Sequence, residues 1–223
     1  IFVTQQSNRR YKMKKTTFKD WDLDQLDKAF GLKQIWQSDL LNQWENNEAE
    51  INEFEKHNLL SFQKALIRAG RAWNEVELEN KFISPLILTA EIDDENIGYF
   101  LERPLSGIVG DYELSGIVDG MPAPGLRKPQ IPYFWLHEYK RSIENQGTPD
   151  AQVLAAMLVA REQNQNNKPI YGLFVVGLDW YFIVLQDNQY CISRTFHADN
   201  EEIFAIFKMI KSLKQIIYAE LLL

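Results

Sequence analysis

The longest apolar stretch of the chain, Pro169 to Leu185, carries Gly172, Gly177 and Asp179 and is otherwise rich in β-branched and aromatic residues. A membrane-spanning helix needs about 20 apolar residues without such interruption. No membrane partner is therefore expected. The composition predicts two strands and a turn, near 170–176 and 180–186, with a further strand near 189–195.

The rest of the chain is read around that sheet. From Asp22 to Arg71 there is no proline, and Ile51, Phe54, Leu59, Phe62 and Leu66 recur at roughly helical spacing. Two or three helices are expected there, the last one long and ended by Gly70. A new helix begins near Ala72 or Trp73 and closes or kinks around Pro85. Strands are expected at Gly98–Leu101, Tyr112–Asp119 and Tyr133–Lys140, with a Gly/Pro-rich loop from Gly120 to Pro132. Thr148-Pro149-Asp150 reads as a helix start, with Thr148 as cap. That helix runs to about Gln163, and a last helix covers about Asp199 to Leu221. The order predicts a mixed α/β fold, not a regular βαβ alternation. Residues 1–72 are read as a basic arm and helical extension, and residues 73–223 as the core with its closing helix.

The chain has 24 Lys and Arg against 31 Asp and Glu, a formal charge of −7. The imbalance is uneven: residues 1–72 carry 12 basic and 10 acidic groups, residues 73–223 carry 12 and 21. Net acidity argues against binding nucleic acid by bulk charge. It does not exclude a nuclease, because a cation site needs clustered acids. Residues 1–19 hold Arg9, Arg10, Lys12, Lys14, Lys15 and Lys19 and no acid. They form either a solvated arm or a phosphate-contacting one.

Several chemistries are excluded. No two glycines are separated by one residue, so there is no dinucleotide fingerprint, and there is neither a P-loop nor a G-x-S-x-G nucleophile elbow. His57, His137 and His197 lie far apart and form no H-E-x-x-H. Cys191 is the single cysteine, read as a small buried hydrophobe; it implies no internal disulfide and, with no leader visible, a reducing cytoplasmic setting.

One constellation remains. On the predicted helix after Trp73, Val76, Phe82 and Ile83 gather on one side, with Glu79 near its middle, Glu75 nearer its edge and Glu77 opposite. An inward carboxylate is costly unless paired or bound to a cation. Asp119 ends an apolar strand, and Glu138 and Lys140 point to one face of the next strand, sharing it with Phe134 and Leu136. Two carboxylates on neighbouring strands suit a hard cation such as Mg²⁺ or Mn²⁺. Such an ion lowers the pKa of a bound water, and a lysine beside it orients that water or steadies an anionic transition state.

Gly116-Ile117-Val118-Asp119-Gly120 and His137-Glu138-Tyr139-Lys140-Arg141 resemble the Asp strand and the E-x-K strand of the PD-(D/E)XK nuclease superfamily, with Val118 where the name has Pro. Asn74-Glu75-Val76-Glu77 followed by Phe82-Ile83-Ser84-Pro85 is similar to the opening helix of the nuclease domains in type I restriction subunits. The resemblance covers about Trp73 to Leu185. It implies a restriction-endonuclease-like α-β-β-β-α-β core with a central mixed sheet, in a stand-alone bacterial member. It implies a metal held by Asp119, Glu138 and the backbone carbonyl of Tyr139, with Lys140 positioning the water. The supporting glutamate it implies is Glu75, whereas the helical wheel favours Glu79; both are retained, Glu75 first. A glutamine on the following helix corresponds to Gln152, although Ala156 stands where a tyrosine often follows.

The leading expectation is thus a Mg²⁺-dependent DNA endonuclease that works alone or as a homodimer. The alternatives are an inactive nucleic-acid-binding or assembly module of the same fold, and an interaction protein built on the helices of residues 22–71. His137 is expected to pack on the far face of its strand, and Trp135, Trp180 and Tyr181 to serve in packing. Arg127 and Lys128 are expected as an exposed loop pair, and Arg141 either reaches DNA or is solvated at a strand end.

Overall fold

The computed structural model describes residues 13–133, 135–140 and 148–221. Arg9, Arg10 and Lys12 of the basic arm, Phe134 and Arg141 lie outside the described residues. The elements are β1 (Lys14–Thr17), a 3-10 turn (Phe18–Asp20), α1 (Leu23–Phe30), β2 (Lys33–Gln34), α2 (Asp39–Glu45) and α3 (Glu53–Ala69). There follow α4 (Glu75–Leu78), a π turn (Glu79–Ile83), α5 (Ser84–Thr89), β3 (Ile97–Val109), β4 (Tyr112–Pro124), β5 (Trp135–Lys140) and α6 (Pro149–Asn164). The chain closes with β6 (Ile170–Val176), β7 (Asp179–Gln186), β8 (Gln189–Ile192), β9 (Phe196–His197) and α7 (Glu202–Leu221).

The strands form one mixed sheet in the order β1-β4-β5-β6-β7-β8-β2, with β3 added to β4 and β9 to β7. Strand alternation divides the core into two halves. Leu136, Phe174, Ile183 and Leu185 join one half with α6, Phe18 and Val118. Trp135, Tyr139, Leu173, Phe182 and Val184 join the other, under α2, α3, α5 and α7. Both faces are covered, which is why β6 and β7 are apolar almost throughout. Helix α6 is buried from Ala151 to Ala160, as expected of a helix wedged between sheet and flanking elements. Cys191 is buried as expected, and among the described residues no helix is long and apolar enough to cross a membrane.

Of the two or three helices expected between Asp22 and Arg71, three are present, with α3 the longest of them. Three short strands were not foreseen: β1 pairs in parallel with β4, β2 in parallel with β8, and β9 antiparallel with β7, so residues 14–17, 33–34 and 196–197 belong to the same sheet. The expected loop from Gly120 is also corrected. Residues 120–124 continue β4, because β3 pairs with it along its length, from Val109↔Tyr112 to Ile97↔Pro124. Long-range pairing here overrides the local turn preference of Gly and Pro.

Pro85 does not close its helix. Ser84 donates its backbone N–H to Glu79 O, an i→i−5 bond, and the helix resumes beyond. Proline has no N–H to give to residue 81, and its ring would crowd that carbonyl in a regular turn. Widening to a π turn relieves both problems. The apolar side predicted there holds for Phe82 and Ile83 but not for Val76, which is 64% exposed; Phe54 on α3 is exposed as well.

Candidate active site

Strands β4 and β5 pair antiparallel at Gly120↔His137. Continuing that register by one residue sets Asp119 opposite Glu138. The ladder stops there because the Asp119 side chain intervenes: its Oδ2 accepts the backbone N–H of Tyr139 at 2.8 Å. Close approach of the strands depends on Gly120. A Cβ at that position would come within 1.8 Å of His137 Nε2. His137 itself is 1% exposed, stacks against Tyr99 and Tyr139, and lies 2.7 Å from the Tyr99 hydroxyl through Nε2. Burial pushes its pKa down to about 3, so the ring is neutral. It packs on its strand and does not line the acidic cleft.

The cleft has a volume of about 520 Å³. Asp119, Glu138, Tyr139, Lys140, Glu75, Glu79 and Gln152 all line it, so every candidate drawn from the sequence is brought to one place. Glu75 and Glu79 reach it from the two sides of the α4–π-turn junction. Helix α4 is only four residues long and is fixed by a reciprocal cap. Asn74 Oδ1 accepts from Glu77 N at 2.8 Å, and Glu77 accepts from Asn74 N at 3.1 Å. Glu77 is thus a capping group, which leaves Glu75 and Glu79 to the cleft.

Lys140 ties the acids together. Its ammonium is 2.8 Å from Glu75 Oε1 and 2.9 Å from Glu138 Oε1, and it donates to the Tyr139 carbonyl at 3.2 Å. Burial works against that ammonium, but Glu138 and Glu75 outweigh it and hold Lys140 firmly protonated. Glu79 is less engaged, accepting a long 3.4 Å bond from the Tyr139 hydroxyl. Gln152 is 3% exposed and sits on the first turns of α6.

The electrostatics are those of crowded acids. Burial first, and then the charge of Glu138, push the Asp119 carboxyl well above its ordinary range, against the pull of the Tyr139 N–H. Burial also raises Glu138, although Lys140 opposes it. Burial and then Glu102 raise Glu79. Carboxyls raised by burial, with further acids beside them, fit a hard cation in kind. Among the described residues, however, no three or more His, Cys, Asp or Glu side chains come together as a ready ligand set for a metal ion.

Sequence reasoning did not assign two charged residues to the cleft wall. Glu102 lies just beyond the expected strand end at Leu101, lines the cleft and has φ of 49° in the middle of β3. Nothing in the residue pattern announces a left-handed conformation there. Lys19 also lines the cleft; the sequence offers it only as one group of a basic arm, solvated or phosphate-contacting. Trp135 and Trp180 are core residues, and Tyr181 stacks on Phe174 with ring centroids 4.7 Å apart. Arg127 and Lys128 are exposed. No known protein family and no curated protein matches the chain.

Proposed function

We propose that the chain is a divalent-metal-dependent nuclease of restriction-endonuclease-like fold that hydrolyses phosphodiester bonds in DNA. The observation that carries this reading is the meeting of Asp119, Glu138 and Lys140, from two adjacent strands, in a cleft walled by Glu75 and Glu79. The element order supports it: a helix (α4 to α5), then β3, β4, β5, α6 and β6, matches an α-β-β-β-α-β core. Asp119, Glu138 and the Tyr139 carbonyl would hold Mg²⁺ or Mn²⁺, which supplies a water acidified for attack and charge neutralisation at the phosphate. Lys140 would orient that water, and its charge opposes the effect of burial on Glu138. Glu75 shares the Lys140 ammonium with Glu138, and Glu79 adds a further acid at the cleft wall. Gln152 lines the cleft from α6.

A second reading has its own observation. Lys140 is satisfied by Glu138 and Glu75 at once, and no ready ligand set is present among the described residues. That arrangement suits a catalytically inactive nucleic-acid-binding module of the same fold. Purified chain incubated with plasmid and linear DNA and Mg²⁺ or Mn²⁺ separates the two. Cleavage that Asp119→Ala abolishes supports the nuclease; DNA binding without cleavage supports the module; equal cleavage by wild type and variant rejects the assigned site.

A further inference from the structure

Residues 13–20 reach the acidic cleft by a built path. Strand β1 pairs with β4 from Lys14↔Tyr112 to Thr17↔Ser115, on the strand that carries Asp119. The next turn is locked by Asp20, whose Oδ2 accepts from Thr17 N at 2.6 Å and from Thr17 Oγ1 at 2.9 Å. The Trp21 indole N–H donates to Thr16 Oγ1 at 3.1 Å. Phe18 is 3% exposed, and its ring lies on Gly116: a Cβ there would sit 2.2 Å from Phe18 Cδ2. Phe18 is therefore turned into the core and Asp20 back onto Thr17. Lys19, between them, is left on the wall of the cleft with Thr17, Asp119, Glu138 and Lys140.

The charges give this placement a purpose. Lys140 is committed to Glu138 and Glu75, and Lys19 takes part in neither pair. A polyanionic strand entering a cleft lined by Glu75, Glu79, Glu102, Asp119 and Glu138 meets repulsion on most sides.

We propose that Lys19 is a phosphate-contacting residue of this cleft, delivered by a strap of residues 13–20 whose position is set by Phe18 seated on Gly116. The proposal rests on the nucleic-acid reading above and names the group that receives the substrate backbone.

The test uses the full chain and a fluorescein-labelled DNA duplex, with binding followed by anisotropy in Ca²⁺ across a potassium chloride series. Lys19→Ala should weaken binding about tenfold and make the slope of log K against log salt shallower by about one. Lys19→Arg should retain binding. Gly116→Val removes no charge but displaces Phe18, and should reproduce the Lys19→Ala loss. Lys56→Ala, an exposed lysine on α3, should leave binding unchanged. Unaltered affinity and slope in Lys19→Ala overturn this proposal alone. Failure of the wild-type chain to bind DNA overturns it together with the reading beneath it. Binding that weakens in Lys19→Ala, with no cleavage in Mg²⁺ or Mn²⁺, upholds Lys19 as the contact and favours the inactive module.

Discussion

Asp119 and Tyr139 are joined by a 2.8 Å hydrogen bond from a backbone N–H to a carboxylate, at the point where β4 and β5 part. The bond replaces a rung of the sheet with a side chain. It aims one strand's acid at the other strand's Glu138, and the cleft forms where the strands diverge.

That placement makes Asp119 costly to the folded chain. Its carboxyl ionises later in the fold than in the unfolded chain, because of burial and the Glu138 charge. Above the unfolded pKa its charge therefore opposes folding, increasingly as pH rises. Asp119→Asn keeps an oxygen for Tyr139 N–H and removes the charge. In metal-free neutral buffer it should raise the melting temperature by about 2–4 °C per kcal/mol relieved, and the gain should fade as pH falls into the ordinary carboxylate range. Mg²⁺ should raise the melting temperature of the wild type and not of the variant, while cleavage falls by at least about 100-fold, the scale expected for losing a group that stabilises transition-state charge. A melting series with Mg²⁺ and with EDTA checks both.

Removing Lys140 should hurt far more than removing Glu75. Its side chain is 10% exposed and that of Glu138 7%, whereas the Glu75 side chain is 45% exposed. Lys140→Met leaves Glu138 buried without its partner and should cost about 3 kcal/mol. Glu75→Gln should cost less than about 1 kcal/mol, as for pairs with an exposed member. Urea unfolding of the two variants gives the comparison; equal losses would refute the ranking.

Glu102 holds a left-handed φ of 49° inside a strand. A non-glycine residue pays roughly 1–2 kcal/mol for that conformation. Glu102→Gly should therefore stabilise the protein by about 1 kcal/mol, and Glu102→Ala, which keeps the Cβ, should not. Chemical denaturation distinguishes them. Loss of activity in the glycine variant that Glu102→Ala does not share would show that the strain serves the cleft.

Asp94 should dominate the acid sensitivity of the α7 docking. Burial opposes its ionisation, but the N–H groups of Asn96 and Ile97, the Lys214 ammonium and the Tyr218 hydroxyl outweigh this and hold its pKa well below the carboxylate range. Lys214 lies 3.0 Å from Asp94 Oδ2, and Tyr218 donates at 2.9 Å. The folded pKa is depressed, so this stabilisation is fully present above the unfolded value near 3.8 and is lost as pH falls below it. Asp94→Asn should lower stability at pH about 7 and make the fall between about pH 4 and 2 shallower than in the wild type. Thermal melts at each pH measure this.

Much of the fold was legible in the residue order because its signals are local. Alternation along Trp135–Lys140 puts Glu138 and Lys140 on one side and Trp135 and Tyr139 on the other, and the two half-cores divide in that way. The strands near 170–176 and 180–186 and the proline-started helix at 149 were readable for the same reason: periodicity reports the backbone of its own segment. The Glu75 and Glu79 ambiguity was also a local result, and it resolves into two acids on one cleft with different partners.

The sequence by itself determined most of the helices and the central strands, which strands carry Asp119, Glu138 and Lys140, and that dinucleotide, P-loop and nucleophile-elbow motifs are absent. Only the tertiary structure decided what lies between distant segments. It brought Glu75 to Lys140 across 65 positions, continued β4 through Gly120–Pro124 against local turn preference, and set Lys19 and Glu102 on the cleft wall. The physical reason is that these placements follow from strand register and from the seating of Phe18 on Gly116 and His137 on Gly120. Such contacts depend on shape at close range, which no spacing of residues along the chain records.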